Sequence, residues 1–116
     1  MAVAVMERER PKTQEEIKED IARFKGYVKK EFEEDGLKDI LQGLQACITA
    51  NVNPCLEIIV CSEEYIKILK TSDYRNDKTL DKLDIEHMEE FLKECEEELQ
   101  DMKKSFKEDN PFYEDQ

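Results

Sequence analysis

Seven apolar residues near the end of the chain, Ile85, Met88, Leu92, Cys95, Leu99, Met102 and Phe106, are separated by alternating gaps of three and four. That alternation puts all of them on one helical face. It excludes a strand, in which successive residues alternate sides and only every second one shares a face. The spacing predicts a heptad seam on a helix capped by Asp84 and running to about residue 108, on the order of 35 Å at 1.5 Å per residue. Phe91 widens the apolar face. Pro111 ends the helix, because the residue before a proline, here Asn110, is pushed out of helical space.

The same period recurs upstream. Thr13-Gln14-Glu15-Glu16 has the form of a capping box, in which side chains satisfy the first free amides of a helix. Ile17, Ile21, Phe24 and Val28 then make one stripe, with Phe32 read as its continuation. Acids sit early (Glu15, Glu16, Glu19, Asp20) and lysines late (Lys25, Lys29, Lys30), as the helix dipole favours. Gly36 supplies a left-handed stop, so the first helix spans 14–35.

A second helix covers 37–50, with Leu37, Ile40, Leu41, Leu44, Cys47 and Ile48 on one face. Gly43 within it costs about 1 kcal/mol relative to alanine unless a neighbour packs close. A third helix covers 54–71, opened by Asn53 as cap and Pro54 as first residue. Its apolar set is so broad (Leu56, Ile58, Ile59, Val60, Cys61, Tyr65, Ile66, Ile68, Leu69) that it should be the most buried element. The stretch CLEIIVC taken alone also suits a buried strand. The helical pattern of EEYIKILK that follows favours the helix. Residues 72–83 read as a polar loop with a short turn around Leu80 and Leu83.

Together these elements predict an all-α fold: an antiparallel four-helix bundle with a long C-terminal helix, spanning 13–109. A disordered segment, 1–12, precedes it and a flexible acidic tail, 110–116, follows. A chain of 116 residues suits one modest core. With three glycines and three prolines it lacks the turns of a sandwich or barrel. Charged residues make up 41% of the chain, against about a quarter in an average domain, which confines the apolar residues to narrow stripes.

Thirty acidic against eighteen basic residues give a net charge of −12. Such a surface repels phosphate backbones and anionic membranes, which excludes nucleic acid as a direct partner. No run approaches the roughly 18 apolar residues of a membrane span. The opening MAVAVMERERPK is too short and too early in its charges for a secretory signal. Cys47, Cys55, Cys61 and Cys95 fall within apolar patterns and read as reduced core thiols, which points to the cytoplasm or the nucleus.

Chemistry is thinly represented. His87 is the one histidine and stands near no nucleophile motif. Seven residues intervene between Cys47 and Cys55 and five between Cys55 and Cys61, whereas structural zinc ligands pair two to four apart. Residues 73–84 faintly resemble an EF-hand loop. Arg75, however, takes a ligand position, Lys78 replaces the required glycine, and Asp84 replaces the bidentate glutamate. No catalytic residue, metal ligand or cofactor site is therefore expected.

The candidate partner-binding residues lie on the last helix and its tail. Met88, Cys95 and Met102 make a soft, adaptable seam that Phe106 extends. The plain account of that seam is the bundle's own core. The sharper one is pairing with a partner helix or with a second copy as a homodimer. From Glu86 to Asp101 there are eight acids and one base, Lys93. Glu94 and Glu98 represent that negative face, which is either simply solvated or a docking stripe for a basic partner.

Asn110-Pro111-Phe112 resembles the tripeptide bound by EH domains, and Tyr113 makes the stretch resemble the NPxY motif read by PTB domains. The resemblance implies a docking tag. The plain reading is a helix stop whose Phe112 and Tyr113 cover the bundle's end. The expected function is a non-catalytic protein–protein interaction module: an adaptor, complex subunit or assembly factor. The alternatives are a self-associating structural coiled coil and, less favoured, a Cys/His metal-binding helical protein.

Overall fold

The structure, a computed structural model, describes residues 13–49, 55–111 and 113. The Thr13 capping box forms as expected. The Glu16 amide donates to Thr13 Oγ1 (3.2 Å), and the Thr13 amide donates to Glu16 Oε1 (3.2 Å). From there α1 (Gln14–Thr49) runs to Gly36, where φ of 81° and ψ of −170° bend it into arms spanning 14–35 and 37–49. A side chain is strained in that left-handed region, and glycine is not. α2 (Leu56–Thr71) follows, then a single 3₁₀ turn (Tyr74–Asn76), a short α3 (Lys82–Glu86) and α4 (Met88–Asp109). The chain is all-helical, with no strand among the described residues. Residues 56–61 of the CLEIIVC stretch lie in α2.

α2 sits at the centre. Ile59, Val60, Cys61, Tyr65, Ile66 and Leu69 point to different sides of it, and all are buried. It packs most extensively against α1 and next against α4. One apolar core joins Ile17, Phe24 and Val28 of the first arm, Ile40 and Leu44 of the second, the α2 residues, and Met88, Leu92, Cys95, Leu99 and Met102 of α4. Removing some twenty large side chains from water is the main force holding such a charged chain together. Two ion pairs cross from α2 to α4: Lys70–Glu96 at 2.7 Å and Lys103–Glu63 at 2.5 Å.

Several local expectations are corrected. α2 begins at Leu56, with Cys55 extended and exposed before it, so the helix starts where burial starts rather than at Pro54. The break at Asn51-Val52 and the Asn53-Pro54 cap lie outside the described residues, as does the disorder expected over 1–12. The last helix does not start at Asp84. Asp81 is the cap, and its amide donates to Asp84 Oδ2 (3.3 Å) in a reciprocal capping box that opens α3. His87 (φ −101°, ψ 4°) then interrupts the helix. Leu83, before the break, is 66% exposed, and Met88, after it, enters the core at 1%, in the register the seam predicts. Ile85 and Phe106, at the two ends of the predicted seam, are half-buried. Of the four cysteines, Cys61 and Cys95 are core thiols, but Cys47 is half-buried and Cys55 exposed.

Phe32 does not continue the first stripe: it is exposed. The spacing of Ile17, Ile21, Phe24 and Val28 continues by three to Glu31, not by four to Phe32. Glu31 turns inward and accepts a hydrogen bond from the buried Tyr65 hydroxyl (2.7 Å). Across the bend, Gly43 lies against the same ring. A Cβ there would stand 2.7 Å from Tyr65 Cζ, so only glycine fits without displacement. Both arms of α1 thus converge on Tyr65.

Candidate protein-interaction surface

α4 carries two opposed faces. One holds the buried Met88, Leu92, Cys95, Leu99 and Met102. On the other, Glu90, Glu94, Glu97 and Asp101 recur every three or four residues, and all four are exposed. At 3.6 residues per turn they form one continuous acidic stripe roughly opposite the core. Glu86, the last residue of α3, faces Lys82 one turn before it at 3.8 Å. Glu90, Glu94, Glu97 and Asp101 have no ion-pair partner among the described residues. The flanking acids differ: Glu89 is paired with Arg75 and Glu96 with Lys70.

Beside the stripe, an open groove of about 680 Å³ runs between α2 and α4. Ile66 and Leu99 floor it, and Lys67, Lys93, Glu97 and Gln100 stand along it. The two cross-helix ion pairs bracket it. Lys103 is buried because its ammonium meets Glu63, and its aliphatic stem covers apolar surface.

The residues singled out from sequence are dispersed. Met88, Cys95 and Met102 are buried within the chain's own core. Glu94 is exposed and Glu98 half-buried. At the tail, Asn110 Nδ2 donates to the Phe106 carbonyl (2.9 Å), and the Tyr113 amide donates to the Asn110 carbonyl (3.0 Å). This turn brings the Tyr113 ring edge-on to Phe106, with centroids 5.2 Å apart, and leaves Tyr113 only 4% exposed. Pro111 is exposed; Phe112, Glu114 and Asp115 lie outside the described residues.

The thiols are set for packing. Burial pushes the Cys61 and Cys95 thiols up to about 12 and raises that of Cys47, so at neutral pH all three stay protonated and weakly nucleophilic. Among the described residues no three histidine, cysteine or carboxylate side chains converge to hold a metal ion. His87 is exposed at the break between α3 and α4. Among the described residues no helix is long and apolar enough to cross a membrane.

Three features escaped the sequence reading: the inward Glu31, the buried Lys103, and the separation of free from paired acids on α4. For Glu31 a signal existed, since the three–four spacing lands on it. For the other two, the deciding partners lie on α2 and in the loop before α3. Comparison with known proteins finds no matching family model, no matching curated protein and no matching solved structure.

Proposed function

We propose that this protein is a non-catalytic interaction module that docks a basic segment of a partner protein along the outer face of α4. The observation that carries this reading is the row Glu90, Glu94, Glu97 and Asp101, exposed and unpaired among the described residues. Like charges three and four apart on a helix cost about 0.2–0.5 kcal/mol per pair, and no ion pair among the described residues neutralises these four acids. A cationic partner would relieve it, and the net charge of −12 would steer such a partner in. Neighbouring Glu98 sits at the edge of the same stripe.

In this reading the helices form an antiparallel bundle that holds the stripe outward. The cross-links support that arrangement: rising residue numbers on α2, 63 then 70, meet falling numbers on α4, 103 then 96. Met88, Cys95 and Met102 then support the stripe from below as core. The Asn110–Tyr113 turn closes the end of the bundle.

The test is affinity capture from cell extract with three baits: the full chain, the chain with Glu90→Gln, Glu94→Gln, Glu97→Gln and Asp101→Asn, and the chain truncated after Asp109. The neutralised bait should lose the partners of the full chain, and raising the salt should strip them from the full chain as well. If the neutralised bait recovers the same proteins, the stripe is not the docking surface. If the truncated bait alone loses them, the tail is.

A further inference from the structure

We propose that the groove between α2 and α4 is a binding site for a single-chain alkyl carboxylate, a medium-chain fatty acid. The alkyl chain lies over Ile66 and Leu99, and Lys67 and Lys93 hold the carboxylate. The inference goes beyond the docking role of the α4 stripe and does not rest on it.

Charge singles this groove out. Across the chain, acids outnumber bases thirty to eighteen. Along the groove the balance inverts: Lys67, Lys70, Lys93 and Lys103 meet only Glu63, Glu96 and Glu97. Glu63 is tied to Lys103, and Glu96 to Lys70. Lys67 and Lys93 are exposed, stand on opposite banks and have no ion-pair partner among the described residues. One acid, Glu97, is left against these two lysines. Charges farther off are screened beyond about 8 Å at physiological salt, so an anion in the groove meets the nearby lysines more strongly than the distant acids.

The shape suits a slender apolar chain. Ile66 and Leu99 make the floor, and the methylene stems of the lysines add apolar wall. A volume of about 680 Å³ falls within the range of small-molecule sites, roughly 300–1,000 Å³. The Lys103–Glu63 and Lys70–Glu96 pairs tie α2 to α4 at positions seven residues apart on α2, about 10 Å along the helix. A partner helix is itself about 10–12 Å across and needs a longer unobstructed trough. A single alkyl chain needs no more than the space between the two cross-links.

The head group follows from the donors at hand. Both banks are mid-helix, where backbone amides are already bonded within the helix, and no arginine lines the groove. A phosphate is usually met by free helix-terminal amides or by an arginine fork, and neither is present on this lining. Two lysine ammoniums offer point charges, one for each oxygen of a carboxylate.

The test is a methyl NMR titration of the full chain with decanoate below its micelle concentration. Hexanoate and octanoate vary the chain, decanol removes the charge, and acetate removes the chain. Decanoate should shift the methyls of Ile66 and Leu99, and affinity should tighten by up to about fourfold per added methylene from hexanoate to decanoate. Decanol and acetate should each bind at least about tenfold more weakly than decanoate. Lys67→Gln with Lys93→Gln should weaken decanoate about tenfold or more and leave decanol unchanged. Lys29→Gln with Lys30→Gln makes the same change in net charge at exposed positions of α1 and should leave decanoate within about twofold. No binding, methyl shifts that avoid Ile66 and Leu99, decanol binding as tightly as decanoate, or equal losses in the two double variants would overturn the proposal. So would a synthetic acidic amphipathic peptide that shifts the same methyls at lower concentration than decanoate, since the groove would then belong to a protein segment.

Discussion

α2 and α4 touch along their length yet are built on different plans. Eight of the sixteen residues of α2 are buried, and they point to several sides. Six of the twenty-two residues of α4 are buried, all on one side, and one of the six is a lysine. A helix enclosed on most sides is held by packing and leaves little surface to offer. A helix held along one narrow seam keeps a long free face, and here that face is acid. The comparison shows that in a chain with 41% charged residues, stability and surface are assigned to different helices rather than shared by each.

Truncating the two helices at matched leucines breaks the comparison most directly. Leu69 in α2 is 0% exposed, so Leu69→Ala should cost in the upper part of the roughly 2–5 kcal/mol range for such changes. Leu99 in α4 floors an open groove where neighbours and water can fill the gap, so Leu99→Ala should cost less. Urea denaturation midpoints of the two variants test this. Equal losses would mean that the α4 seam is as enclosed as α2.

A smaller effect is expected at two helical glycines of α1. Gly43→Ala drives a methyl into the Tyr65 ring and should cost about 1–3 kcal/mol. At Gly26 an added Cβ meets nothing within 4 Å, so Gly26→Ala should stabilise by about 0.5–1 kcal/mol through helix propensity. Opposite shifts in melting temperature would confirm that α2 is gripped closely only where the second arm crosses it. Shifts of the same sign would remove that distinction.

The smallest effect belongs to the α4 stripe. Neutralising Glu94 and Glu97 together should leave the fold intact and raise stability by a few tenths of a kcal/mol per relieved pair. The gain should fade in about 1 M salt, where the screening length falls to roughly 3 Å. Calorimetry at low and high ionic strength measures it. A clear loss of stability would show that these acids serve the fold itself.

Much of this architecture could be read locally. Thr13 with Glu16, the left-handed Gly36 and the central burial of 56–69 all follow from short-range spacing and residue type. The start of the last helix did not. The Asp81–Asp84 box opens a separate short helix and the break at His87 divides it from α4, while the seam from Met88 to Met102 lies in the core in the register its spacing predicts. Phe32 and Glu31 were exchanged: hydrophobicity favoured the phenylalanine, while a hydroxyl 34 residues away favoured the acid.

The sequence by itself determined that the chain is helical, where its apolar stripes lie and that one face of its last helix is acid, because each of these depends on neighbours three or four residues apart. Only the tertiary structure decided which acids are paired and which stand free, that Lys103 is buried and that Glu31 is drawn to Tyr65. Those outcomes depend on groups distant in sequence, and the energy of a charge is set by what the fold brings beside it.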